Sequence, residues 1–249
     1  MAASPAIAPA TAVRGTPRHA LGVRVTHWLT AGAVVALLVS GLEIVVSHPR
    51  FYWGETGTVM DPPLFSLPIP SSRDTVPTGY DYVLPDQNGW SRYLHFQAAW
   101  LLVFTGLYYV AAGSVSRHLR DDLVPAARDL APHAIGSAVA KSLRRATPAE
   151  AQAWEYNGLQ RLTYLAVVFV LVPLLVWTGL AMSDAVAAAW PATVTLLGGR
   201  QSARTLHFLA TGLLTLFVLV HLAMIGRVGF VRRVGAMITG RAGARGETS

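Results

Sequence analysis

The sequence predicts an all-α fold, an integral membrane four-helix bundle with its N- and C-termini in the cytoplasm. Three observations lead to this prediction. Of the 249 residues, 53% are hydrophobic and only 13% are charged, whereas ordinary soluble domains carry roughly 25% charged residues. The apolar residues are gathered into four runs of about 20 residues, which is the length needed to cross a bilayer. Connecting segments that are rich in lysine and arginine alternate along the chain with segments that contain few of them.

The four apolar runs define the predicted spans, which cover residues 25–46, 93–113, 162–182 and 205–226. They leave a flexible cytoplasmic N-terminus (1–24), an outer loop (47–92), a cytoplasmic loop (114–161) and a basic cytoplasmic tail (227–249). A fifth apolar run, at 185–199, is short and contains Pro191. We expect this run to be interfacial or re-entrant, because it is too short to span the membrane.

The distribution of lysine and arginine sets the expected orientation. The segments 1–24, 114–161 and 227–249 together hold 15 basic residues, whereas 47–92 and 183–204 hold five. Because cytoplasmic loops carry the excess of basic residues, both termini and the 114–161 loop are expected in the cytoplasm. The net charge of +7 therefore indicates topology and contact with the lipid bilayer, and we expect no nucleic-acid binding.

The composition also excludes several kinds of site. The sequence has no cysteine, which excludes disulfides, iron–sulfur clusters, thiolate zinc sites and covalently attached c-type haem. Glu43 is the one acidic residue inside a predicted span, so a di-iron carboxylate bundle is excluded. A His-Glu-x-x-His motif and a phosphate-binding glycine loop are both missing from the sequence, and no catalytic residues are predicted.

Four of the eight histidines fall within predicted spans, where ionisable residues are costly and usually functional. His27 lies near the inner face, and His95 and His207 lie near the outer face. His221 follows His207 by fourteen residues, which is about 21 Å along a helix and within about 40° of the same direction. The pairs His95/His207 and His27/His221 therefore share the outer and inner levels.

Two histidines that face each other across a bundle can supply both axial ligands of a haem iron. The sequence therefore predicts two haem b groups, one in each leaflet, with the four histidines as metal ligands. Buried structural histidines and a proton path are the alternatives left open. Arginine stands three residues before three of the four histidines, almost one helical turn away. These residues are Arg24, Arg92 and Arg204. We expect them to pair with haem propionates, with snorkelling arginines at the helix ends as the alternative.

A hydroxyl residue, a glycine and a leucine follow one another in every span. The four copies are Ser40-Gly41-Leu42, Thr105-Gly106-Leu107, Thr178-Gly179-Leu180 and Thr211-Gly212-Leu213. Helical spacing from the histidines predicts that Gly41 clears space for the outer haem and Gly106 for the inner haem. Close helix packing through small residues is the alternative.

The outer loop differs in kind from the rest of the chain. It contains seven prolines, seven aromatic residues and five acidic residues, a composition that favours an extended path with few hydrogen bonds. Two interpretations are compatible with each other, a lid that lies on the bundle and a docking surface for an external partner.

Several stretches of the sequence, from about residue 18 to about residue 230, resemble a known superfamily. They are Arg24-Val-Thr-His27-Trp28, Arg92-Tyr-Leu-His95-Phe96, Tyr156-Asn157-Gly158-Leu159-Gln160-Arg161, and the run from Gly198 to Phe208 followed by His221. They are similar to the dihaem cytochrome b561 and hydrogenase-type cytochrome b superfamily, which includes the formate dehydrogenase gamma and thiosulfate reductase cytochrome b subunits. The outer segment His48–Gly54 looks like the branch found beside periplasmic molybdenum enzymes.

The resemblance implies a subunit of the bacterial inner membrane that anchors a periplasmic oxidoreductase and exchanges electrons with the quinone pool. It places a quinone beside the inner haem, and it implies respiratory electron transport without a substrate-converting site in this chain. The remaining hypotheses are a stand-alone cytochrome b561-type oxidase of a small reductant or superoxide, and a haem-free membrane anchor or transporter.

Overall fold

The computed structural model describes residues 20–58, 60–69, 87–116, 119, 124, 131–133, 136–137, 140 and 158–240. The expectations for residues 1–19, for residues 70–86 of the outer loop, for most of the 114–161 loop and for residues 241–249 lie outside the described residues. Outer and inner denote the two ends of the bundle, as assigned from the distribution of basic residues between the connecting segments.

The described residues are mostly helical. The helices are α1 (Leu21–Ser47), α2 (Gln87–Val115), α3 (Gly158–Ala166), α4 (Val172–Ala181), α5 (Asp184–Ala189), α6 (Ala192–Thr195) and α7 (Arg200–Thr239). Within the part of the chain that the structure describes, four stretches are long and apolar enough to cross a membrane, namely Leu21–Ser47, Gly89–Val115, Gln160–Ala181 and Arg200–Arg227. The predicted all-α membrane fold with four spans is confirmed.

The third span is interrupted by a π-helical turn, Val167–Leu171, which joins α3 to α4. Pro173 directly follows the start of α4. A proline has no N–H to donate, and its ring crowds the carbonyl four residues earlier, which here belongs to Phe169. The wider turn accommodates the proline without ending the span.

The spans pack as two pairs, α1 along α2 and α4 along α7. Small residues contribute to these contacts, since Ala33 and Ala98 are buried, and Ala210 packs with Leu175 and Leu214 in a buried cluster between α4 and α7. Large apolar side chains point outward and are exposed on every span. This arrangement suits helices that pack through small residues and face lipid with large ones.

The fifth apolar run forms the two short helices α5 and α6, neither of which could span a bilayer. The indole Nε1 of Trp177 donates a hydrogen bond to the Thr193 carbonyl at 3.1 Å. The guanidinium of Arg200 pairs with Asp184. These contacts hold the short helices against the outer ends of α4 and α7.

The C-terminal segment, for which the sequence predicts a basic tail from residue 227, is helical as far as Thr239. Helix α7 continues to Thr239 through a kink at Gly229, whose φ of 108° strongly favours glycine. Beyond the kink, the Ile238 carbonyl accepts a hydrogen bond from Arg24, and the Met237 carbonyl accepts one from the Trp28 indole at 3.4 Å. The last turns of α7 therefore lie against the beginning of α1.

The described part of the outer loop forms what we call the outer cap, residues 48–58 and 60–69. Its strands β1 (Arg50–Phe51) and β2 (Phe65–Ser66) are antiparallel, with Phe51 opposite Phe65. The Phe51 ring, 1% exposed, lies 4.8 Å from the Phe65 ring and 4.4 Å from the ring of Phe208 on α7, measured between ring centroids. The cap is thus a lid that rests on the bundle.

Candidate functional site

The structure brings the four membrane histidines together in two facing pairs. At the outer level, the ring centroids of His95 on α2 and His207 on α7 lie 6.2 Å apart. At the inner level, the ring centroids of His27 on α1 and His221 on α7 lie 6.4 Å apart. Each pair joins the α1–α2 half of the bundle to α7 in the other half. These are the pairings that the helical spacing predicts.

The separations fit one metal ion between the rings of each pair. A metal–imidazole bond is about 2.0 Å long and a ring nitrogen lies about 1.1 Å from its centroid, so opposed ligand rings lie about 6.2 Å apart. Among the described residues, no group of three or more His, Cys, Asp or Glu side chains could hold a metal ion. Two opposed imidazoles with no third ligand suit a haem, whose porphyrin supplies the other four.

The outer histidines each contact a buried hydroxyl on the neighbouring helix. The Nδ1 atom of His95 lies 3.0 Å from Ser40 Oγ on α1, and the Nδ1 atom of His207 lies 2.9 Å from Thr178 Oγ1 on α4. These two hydroxyls are not among the site residues that the sequence predicts. Their signal was the repeated motif, in which each directly precedes a glycine, but the motif does not reveal which histidine a hydroxyl meets.

The predicted glycines lie in different surroundings. A Cβ atom at Gly41 would lie 3.5 Å from His95 Cε1, and one at Gly179 would lie 3.5 Å from His207 Cε1. A Cβ atom at Gly106 would have no neighbour within 4 Å. Gly41 is therefore at the outer level, against a histidine ring, whereas Gly106 borders open space. Their role in making room for haem stays a prediction.

The three predicted propionate partners are placed differently from one another. Arg204 donates to the carbonyl of His48 in the outer cap, and its guanidinium carbon lies 5.0 Å from the Phe51 ring centroid. Arg24 donates to the Ile238 carbonyl, and Arg92 is exposed. A guanidinium has five N–H donors, so Arg24 and Arg204 keep further donors, and pairing with propionates stays a prediction.

Aromatic rings surround the inner pair. The Phe217 ring stacks on His221 with a centroid distance of 5.8 Å, and the Tyr164 ring lies 6.4 Å from His221. The Trp28 ring lies edge-on to His27 at 5.2 Å. Phe217 precedes His221 by one helical turn and could have been found by spacing. Tyr164 comes from a different span, so its contact requires the tertiary structure.

The outer cap fixes the start of the helix that bears His207. The Gly54 carbonyl accepts hydrogen bonds from the backbone N–H groups of Gln201 and Ser202, at 3.0 and 3.2 Å. The Glu55 carboxylate accepts one from the Arg200 N–H at 3.1 Å. The Tyr52 carbonyl accepts one from the Thr205 hydroxyl at 2.6 Å. The first N–H groups of a helix have no partner within it, and here the cap supplies their acceptors together with a favourable negative charge.

A four-span bundle with two facing histidine pairs at two depths defines a membrane cytochrome of the b class. The sequence model of the prokaryotic cytochrome b561 family matches residues 18–240, and the chain belongs to this family. It is 32% identical over 222 residues to YedZ1 of Azospira oryzae, which is named as a protein-methionine-sulfoxide reductase subunit. That match covers 89% of this chain and 96% of the relative. No solved structure matches the chain.

The predicted resemblance is therefore confirmed at the level of the family. The chain is a multi-pass haem protein of the bacterial inner membrane that acts in electron transport. The family implies haem b, and the chemistry of the two histidine pairs fits that group.

Proposed function

We propose that this chain is a dihaem membrane anchor that transfers electrons between the quinone pool and a periplasmic oxidoreductase. The observation that supports this most directly is the spacing of the two histidine pairs, 6.2 and 6.4 Å between ring centroids. His95 and His207 would hold the outer haem, and His27 and His221 the inner haem. Haem supplies one-electron chemistry, and iron with both axial positions filled is suited to electron transfer.

The position of both α7 ligands on one helix supports transfer across the membrane. His207 and His221 belong to the same uninterrupted part of α7, before the kink at Gly229. Their separation along the helix is about 21 Å. One helix would thus hold a haem in each leaflet and keep the distance between them fixed. Transfer through the protein would then move charge through most of the bilayer thickness.

The outer end supports a protein partner. Several large apolar side chains are exposed there, among them Trp53, Leu64, Trp190 and Leu196. Exposed aromatic and aliphatic side chains are typical anchors of protein interfaces. YedZ1 is named as a subunit of a reductase, and we propose an analogous arrangement here, with a periplasmic oxidoreductase subunit as the partner. The His48–Gly54 segment favours a molybdenum-containing one.

A groove at the inner end supports a quinone site there. A groove of about 400 Å³ lies between the start of α1 and the end of α7. It is lined by Leu21, Arg24, Val25, Trp28, Leu29, Met237 and Ile238. Trp28, in its wall, lies edge-on to His27. An apolar groove with a few polar groups is the usual form of a small-molecule site, and we propose that the quinone headgroup binds there.

Purification of the chain in detergent tests the haem assignment. We expect a reduced-minus-oxidised spectrum with b-type bands and two haems per chain. His207→Ala is expected to lose the outer haem and His221→Ala the inner haem, because each removes one of the two histidines that would hold that haem. About one haem should remain in each variant. His133→Ala, which changes an exposed histidine, is the matched control and should keep both.

Two results would contradict the assignment. A protein without b-type bands would be a haem-free anchor or transporter, and retention of two haems in either ligand variant would exclude the pairing. Co-purification from native membranes distinguishes the proposed anchoring subunit from the remaining alternative, a stand-alone oxidase. A stand-alone oxidase of a small reductant or superoxide would be isolated without an oxidoreductase partner, whereas an anchoring subunit would be isolated with one.

A further inference from the structure

The hydroxyl groups that contact the outer histidines donate their protons to backbone carbonyl groups. Ser40 Oγ lies 2.7 Å from the Ala36 carbonyl oxygen, and Thr178 Oγ1 lies 2.7 Å from the Leu174 carbonyl oxygen. A hydroxyl has one proton to donate and two lone pairs to accept with. Because each proton points to a carbonyl of its own helix, what each hydroxyl offers the histidine is a lone pair.

The histidine nitrogen at the other end of each contact must therefore be the donor. Ser40 and Thr178 are completely buried, at 0% exposure. Their oxygen atoms face Nδ1 of His95 and His207 at 3.0 and 2.9 Å. A neutral imidazole that donates from Nδ1 has its lone pair on Nε2. The hydrogen bond thus selects the tautomer in which Nε2 is free to bind iron.

The two contacts are built in the same way on the two halves of the bundle. In each, a hydroxyl residue and the following glycine lie on the helix that packs beside the histidine. The hydroxyl meets Nδ1, and the glycine, Gly41 or Gly179, allows close approach to the Cε1 edge of the same ring. The motif on α7 is used differently, since the Thr211 hydroxyl donates to the backbone carbonyl of His207.

We propose that Ser40 and Thr178 are positioning residues that hold His95 and His207 as Nε2 ligands of the outer haem. This inference rests on the proposed function, because it assigns the two hydroxyls to one of its haems. A hydrogen bond from Nδ1–H increases the basicity of the ligating nitrogen. A more basic ligand favours ferric over ferrous iron, so the two hydroxyls would lower the reduction potential of the outer haem.

A redox titration of the holoprotein tests the proposal. Ser40→Ala and Thr178→Val remove the hydroxyl acceptor and leave the Leu37 and Leu175 carbonyls, which also contact the two rings. Each variant should raise the potential of the outer haem while the inner haem stays unchanged. Loss of such a partner typically weakens metal binding about 10- to 100-fold, so haem should also dissociate more readily from the outer site. Thr178→Ser keeps the hydroxyl and should restore wild-type values. Thr211→Val is the matched control and should alter neither potential.

Unchanged potentials in Ser40→Ala and Thr178→Val, or equal shifts of both haems, would overturn the proposal. If these variants fail to fold, nitrogen NMR of the reduced wild-type holoprotein gives a second test. His95 and His207 should then be protonated at Nδ1, and protonation at Nε2 alone would contradict the inference. Absence of haem from the wild-type chain would instead refute the proposed function, while the NMR measurement would still test the hydroxyl contacts.

Discussion

At the scale of single residues, two glycines help to position the outer histidines, as the two hydroxyls do. Gly41 and Gly179 each present bare backbone to the Cε1 edge of a histidine ring. The distance of 3.5 Å from a Cβ atom built at Gly41 to His95 Cε1 is an ordinary van der Waals contact. One methyl group therefore fits there, whereas a branched side chain would have to displace the imidazole.

We expect Gly41→Ala to keep both haems and Gly41→Leu to lose the outer one, because a leucine would push His95 out of line with His207. Haem quantification on each purified variant measures this. Gly32→Leu is the matched control, since Gly32 lies on the same helix, is exposed and would have no atom within 4 Å of its Cβ. An outer haem bound at full occupancy in Gly41→Leu would show that the ring does not need this space.

The sequence predicted which histidines pair, because the fourteen residues from His207 to His221 fix both depth and direction on one helix. It did not predict the contacts of Ser40 and Thr178. Those contacts depend on how far one helix is shifted along its neighbour, and hydrophobic runs do not specify that shift. Nor did it place Arg24 and Arg204 on backbone carbonyls, since their acceptors lie more than 150 residues away along the chain.

At the scale of elements, the outer cap determines where α7 begins. Gly199 precedes the helix with a φ of 114°, and a Cβ atom there would overlap the backbone of Gly54. The two backbones approach so closely that cap and helix form one unit. The sequence predicted the four spans well, because each is a long apolar run. The helical turns after Gly229 were not predicted, because an arginine-rich run is typical of a polar tail. The kink at Gly229 is visible only in the backbone dihedral angles of the structure.

Phe51→Ala should loosen the outer cap, because it removes a ring packed between Phe65 and Phe208. Truncation of a buried phenylalanine costs about 3–5 kcal/mol in well-packed cores. We expect faster hydrogen exchange and proteolysis in residues 48–69, with the spans still folded. Met60→Ala, at an 89% exposed position of the same cap, is the control and should behave as wild type. Equal protection in both variants would mean that the aromatic stack does not hold the cap.

At the scale of the whole molecule, the bundle has two halves that meet through the histidines. Backbone contacts are extensive within the α1–α2 pair and within the α4–α7 pair. Each histidine pair takes one ligand from α7 and one from the opposite half. A haem held by such a pair would tie the halves together, so binding energy at the site would add to the stability of the fold. The proposed quinone groove lies at one end of this arrangement and the cap at the other.

This geometry predicts an order of reduction when the electrons come from quinol. Trp28 in the groove wall lies against His27, whereas the outer pair is about 21 Å further along the bundle, so the inner haem should be reduced first. In His207→Ala, we expect quinol to reduce the remaining inner haem at the wild-type rate. In His221→Ala, the outer haem should stay oxidised over the time in which the wild-type protein is fully reduced, although dithionite should still reduce it. Stopped-flow spectroscopy in proteoliposomes measures both variants. Rapid reduction of the outer haem by quinol in His221→Ala would place the quinone at the opposite end of the bundle.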